Sequence, residues 1–68
     1  MRTPDQTLTH IGQAIRERRK QLGYSQVRLA ERVGIAHAIV SRIENGYNCR
    51  LSTLLPILQT LELELVLT

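Results

Sequence analysis

The sequence predicts a small all-α fold of four helices closed by one C-terminal β-strand. Three observations carry that expectation. In four successive segments apolar residues recur at spacings of three and four, one face of a helix each time. Gly34 separates two short segments that share a single tight turn. From Glu62 onward the period drops to two: Leu63, Leu65 and Leu67 alternate with Glu62, Glu64 and Val66.

Residues 1–7 are polar, contain Pro4 and read as a flexible N-terminal arm. The first helix is expected over Leu8–Leu22, with Thr7 or Thr9 as its N-cap. Leu8, Ile11, Ile15 and Leu22 form its apolar stripe, and Gly23 ends it. Arg16, Arg18, Arg19 and Lys20 crowd its last turns. They suit the negative end of the helix dipole there, and they equally suit phosphate. Ser25 then offers a cap to a second helix carrying Val27, Leu29, Ala30 and Val33. After Gly34, a third helix presents Ile35, Ile39, Val40 and Ile43, and Gly46 supplies its left-handed stop. Two helices with a glycine turn are the helix-turn-helix unit, whose second helix can enter a DNA major groove.

A loop, Tyr47–Arg50, leads to a fourth helix at Leu51–Leu61 with five leucines on a dense face. With Ser52 as N-cap, Pro56 falls just past the first turn and predicts a late start or a kink. The last seven residues have no second strand in the sequence to pair with. The economical partner is the same strand from a second copy, giving a two-stranded sheet across a homodimer. The alternative is a continuation of helix four, since Leu and Glu favour helix.

Composition narrows the function. Sixty-eight residues make one domain of a size that buries only about 60% of its unfolded surface, so a partner subunit is the expected source of added stability. A single Cys forbids an internal disulfide, and two distant His residues match no zinc spacing; no metal or cofactor is expected. No apolar run suits a membrane span or a signal peptide, which predicts a cytoplasmic protein with no membrane partner. Residues 1–50 hold all nine Lys/Arg against four carboxylates, a net +5, whereas residues 51–68 hold two carboxylates and are −2. A basic head of this kind suits a polyanion. No nucleophile–base set or phosphate-cradling glycine loop stands out, and a domain this small has little room for a closed pocket. Neither an enzyme nor a small-molecule ligand is expected.

The pattern Ile15-Arg16, Arg19, Gly23-Tyr24-Ser25-Gln26, Leu29-Ala30, Gly34-Ile35, Val40-Ser41, Ile43-Glu44-Asn45-Gly46 resembles the Cro/C1-type (XRE) helix-turn-helix proteins. The resemblance spans about residues 10–61 and implies a lambda-repressor-like domain, drawn here at 8–61, with a dimerisation strand at 62–68. The tail LSTLLPILQTLELELVLT is similar to that of the HipB-like antitoxins, small dimeric repressors that pair with HipA-type kinase toxins. The resemblance implies DNA binding through Gln26, Ala36, His37, Ala38, Ser41, Arg42 and Asn45 to a palindromic double-stranded operator. It gives Gln26 to backbone phosphate and to bracing the reading helix, Asn45 and the Gly46 backbone to phosphate, and Ala36, His37, Ala38, Ser41 and Arg42 to bases. Arg42 suits guanine through its donor fork, and His37 can donate to guanine or phosphate. Arg19 and Glu44 correspond to a structural ion pair between helices one and three, and Leu63, Leu65 and Leu67 to dimerisation. Two positions depart from the pattern. Ala36 deprives helix three of a capping side chain, and Ile39 is bulky and apolar where a small polar residue is usual. The function so implied is an autorepressing antitoxin of a HipA-like kinase. The alternatives are a stand-alone phage- or plasmid-type repressor of the same fold, and an interaction module whose DNA site has decayed.

Overall fold

The computed structural model describes residues 3–66. Four helices follow one another: α1 (Pro4–Gln21), α2 (Gln26–Val33), α3 (His37–Glu44) and α4 (Leu51–Thr60). Helix α3 packs between α1 and α2, and α4 closes the other side of α2. Ile15, Leu29, Val40, Ile57 and Leu61 are the most deeply buried side chains, so every helix, and the residue that ends α4, contributes to one core. Ala30 is buried with them, small enough for α2 to lie close to its neighbours.

Helix α1 begins four residues before the expected Leu8, and Thr3–Thr7 is not a loose arm. Thr3 caps it: its hydroxyl accepts from the Gln6 N–H at 3.2 Å, while the Gln6 side chain accepts from the Thr3 N–H at 2.9 Å. Pro4 occupies the first helical position, where its fixed φ suits the helix and its missing N–H costs nothing. Met1 and Arg2 lie outside the described residues. Further along α1, Gly12 faces the end of α3 so closely that a Cβ there would stand 2.4 Å from the Ile43 carbonyl oxygen. The two backbones meet at that point, and only glycine allows it.

Ser25 caps α2 as expected, accepting from the Arg28 N–H at 3.0 Å. Ala36 is the N-cap of α3 and offers no side-chain hydrogen bond. Helix α4 starts at Leu51, not late: Arg50 is its N-cap, so Pro56 sits inside the helix. The α4 stop is a Schellman turn, in which Leu63 N–H donates to Leu58 O at 2.8 Å and Glu62 N–H to Gln59 O at 3.1 Å. Glu62 holds the left-handed position at φ 57°, and the chain leaves the helix there, which removes the helical alternative for the tail. Among the described residues no strand forms within the single chain. Leu63 packs on the core, Leu65 and Val66 are exposed, and Leu67 lies outside the described residues.

Candidate nucleic-acid interface

Burial sorts helix α3 into two faces. Val40, Ile43 and Glu44 point inward. His37, Ala38 and Arg42 are exposed, Ser41 is half-buried, and Asn45, just past the last turn, is exposed. Positions 37, 38, 41, 42 and 45 fall on one side at helical spacing, so six of the seven predicted DNA-contact residues share one surface once exposed Ala36 at the N-cap is added. The seventh, Gln26, opens α2 and reaches that surface from beside it.

A chain of polar contacts holds the face in place. Arg19 Nε donates to Glu44 Oε2 at 2.7 Å and Arg19 Nη2 to Glu44 Oε1 at 3.1 Å, a two-pronged ion pair buried on both sides. Arg19 Nη1 also donates to the Tyr24 carbonyl at 2.8 Å, at the glycine stop of α1. Glu44 Oε1 accepts a further bond from Gln26 Nε2 at 3.1 Å. Gln26 Oε1 in turn lies 3.1 Å from His37 Nε2. Among the described residues no buried side-chain nitrogen or oxygen lacks a partner. The resemblance implied the Arg19–Glu44 pair and a bracing role for Gln26; its two partners, Glu44 and His37, were not visible in the sequence, because they lie 18 and 11 positions away.

The remaining predicted residues behave differently. The Arg42 guanidinium lies over the Tyr47 ring, 5.1 Å from its centroid, and the side chain is exposed. Tyr47, expected in the loop after α3, carried no sequence signal of this contact. Asn45 Nδ2 donates to the Ser41 carbonyl at 2.9 Å, which leaves its oxygen and its second N–H for a partner. Arg18 stands in the last turn of α1, as expected, and takes on a further role: its Nε donates to the Leu61 carbonyl at 3.0 Å and caps the C-terminus of α4. Cys49 is half-buried beside α3, and burial pushes its thiol pKa upward, away from the reactive thiolate. Among the described residues no group of three or more His, Cys, Asp or Glu could hold a metal ion, and no helix is long and apolar enough to cross a membrane.

An exposed second helix braced from behind by the first is the geometry of a helix-turn-helix reading head. Comparison with known proteins agrees. The helix-turn-helix family HTH_3 matches residues 15–67. Two HipB antitoxins of Escherichia coli, from strains K12 and O6:H1, are 40% identical over 60 residues; the match covers 87% of this chain and 68% and 64% of theirs. A chain in the solved structure of a HipA–HipB–O2–O3 complex superposes with a TM-score of 0.78 at 36% identity, covering all of this chain and 92% of that one. The restriction-modification controller protein C.AhdI from Aeromonas hydrophila gives 0.78 at 34% identity, covering 85% of this chain and 89% of its own. The chain belongs to the HTH_3 helix-turn-helix family and, within it, stands with the HipB antitoxins.

Proposed function

We propose that this chain is a sequence-specific DNA-binding repressor, the antitoxin of a HipA-like kinase, and that it represses its own operon as a cytoplasmic homodimer. The observation that carries the reading is the exposed row His37, Ser41, Arg42 and Asn45, fixed on α3 by the buried Arg19–Glu44–Gln26 chain and set in a head of net charge +5. Two such heads one helical turn of DNA apart, about 34 Å, read a palindrome. The kinase partner rests on the relatives, two of them named HipB antitoxins and one solved with HipA. The second copy pairs through residues 62–68, where Leu65 and Val66 stand uncovered.

Arg42→Ala should lower affinity for the cognate operator by about 1–3 kcal/mol and relax one base position. Gln26→Ala should weaken cognate and scrambled duplexes alike. Titrations on both duplexes check this; equal losses for Arg42→Ala would contradict its role as a base reader. A footprint with no protected inverted repeat near the chain's own promoter removes the repressor, and copurification without a kinase removes the antitoxin. A stand-alone regulator is the second reading, supported by an equal superposition, TM-score 0.78, on the restriction-modification controller protein.

A further inference from the structure

The bracing chain ends on a reading residue, and it fixes where that residue keeps its proton. Glu44, held by the Arg19 guanidinium, has only acceptor oxygens, so the Gln26 group facing it must be the amide NH2. Turning the amide over would set the Gln26 oxygen against a carboxylate oxygen. With the NH2 committed to Glu44, it is the Gln26 carbonyl oxygen that faces His37 Nε2 at 3.1 Å. An oxygen can only accept, so Nε2 carries the hydrogen.

We infer that the Arg19–Glu44–Gln26 chain locks His37 in the Nε2–H tautomer, so that the neutral ring meets DNA through Nδ1 as an acceptor and selects an amino base, adenine or cytosine, on the strand it faces. This deepens the proposed function and rests on it for the DNA half alone. Adenine N6 and cytosine N4 are the major-groove donors, whereas guanine O6 and N7 and thymine O4 are acceptors that a bare Nδ1 repels. The expectation that His37 donates to guanine is thereby reversed for the neutral ring: its one hydrogen is already given to Gln26.

Two measurements on the full chain test this separately. Long-range 1H–15N correlation on 15N-labelled free protein at about pH 8.5, where imidazoles are neutral, reports the tautomer. The expected spectrum shows His37 protonated at Nε2, with Gln26→Leu shifting it toward a mixture. An Nδ1–H ring in the unaltered protein overturns the inference whatever the protein does to DNA. Selection from a randomised duplex library, repeated with His37→Ala, then finds the position His37 reads as the one that loses its preference. Adenine or cytosine there, favoured about tenfold over guanine and thymine, supports the inference, and a guanine or thymine preference overturns it. If no sequence is enriched at all, the repressor reading fails with the base assignment, while the tautomer result stands on its own.

Discussion

The reading head and the tail of this molecule are finished to different degrees. In the head, the buried ion pair is fully bonded, the α1 and α3 backbones touch at Gly12, and α3 stops at a glycine, Gly46, with φ 88°. In the tail, the same kind of turn is made by a glutamate, Leu65 and Val66 face solvent, and no strand forms among the described residues. The difference teaches where the single chain is sufficient. One copy holds its α3 surface through buried contacts of its own, whereas the tail leaves apolar side chains exposed, which the proposed dimer would cover.

The largest effects should therefore come from the head. Glu44→Ala strands the Arg19 guanidinium in the core and removes the Gln26 anchor, and should cost about 3–5 kcal/mol in equilibrium denaturation. Replacing Arg19 and Glu44 together by leucine removes the buried charge and should recover most of that loss. If the single and double variants are equally unstable, the pair matters through shape alone. Gly12→Ala comes next. Its Cβ would sit 2.4 Å and 2.9 Å from the carbonyl oxygens of Ile43 and Glu44, backbone atoms that cannot swing aside. Overpacking of this kind costs about 3 kcal/mol. A variant as stable as the parent would mean that α1 and α3 can separate without loss.

How much of this was legible follows the same division. The caps at Ser25 and the stops at Gly23, Gly34 and Gly46 are local chemistry, so the helix-turn-helix could be read from spacing. The start of α1 was local too, but residues 1–7 were read as a flexible arm, although Thr3 and Gln6 make a capping box with Pro4 at the first helical position. What stayed hidden were partners fixed only by packing. Arg18 finds the Leu61 carbonyl 43 residues away, and Gln26 bridges Glu44 and His37. The resemblance singled out Arg19 as an ion-pair partner, but the cluster of basic residues around it gives no sign that Arg18 caps a distant helix.

Tail deletion sharpens the contrast from the other side. Removing residues 62–68 uncovers the core against which Leu63 packs, a loss of about 1–2 kcal/mol for one half-buried leucine. The head should keep its helical circular dichroism while sedimentation shows monomers at every concentration tried. A dimer that survives truncation would place the subunit contact elsewhere, and exposed Leu51 and Leu55 on α4 would be the next residues to change.

The smallest effects test the two turns directly, and their signs should be opposite. Gly46→Ala forces a side chain into φ 88° and sets its Cβ 3.0 Å from the Thr9 hydroxyl, so it should destabilise by about 1 kcal/mol. Glu62→Gly at the equivalent position of α4 relieves a non-glycine residue at φ 57°. The relief is about 1 kcal/mol, offset in part by the extra freedom glycine gives the unfolded chain. Its carboxylate also lies 3.6 Å from Arg18, but at 79% exposure that pair contributes little. The net expectation is a gain of about 0.5 kcal/mol, read as a Tm a few degrees higher. A loss instead would show that the Arg18–Glu62 contact holds the start of the tail in place, and that a glutamate at this turn stabilises more than the glycine that replaces it.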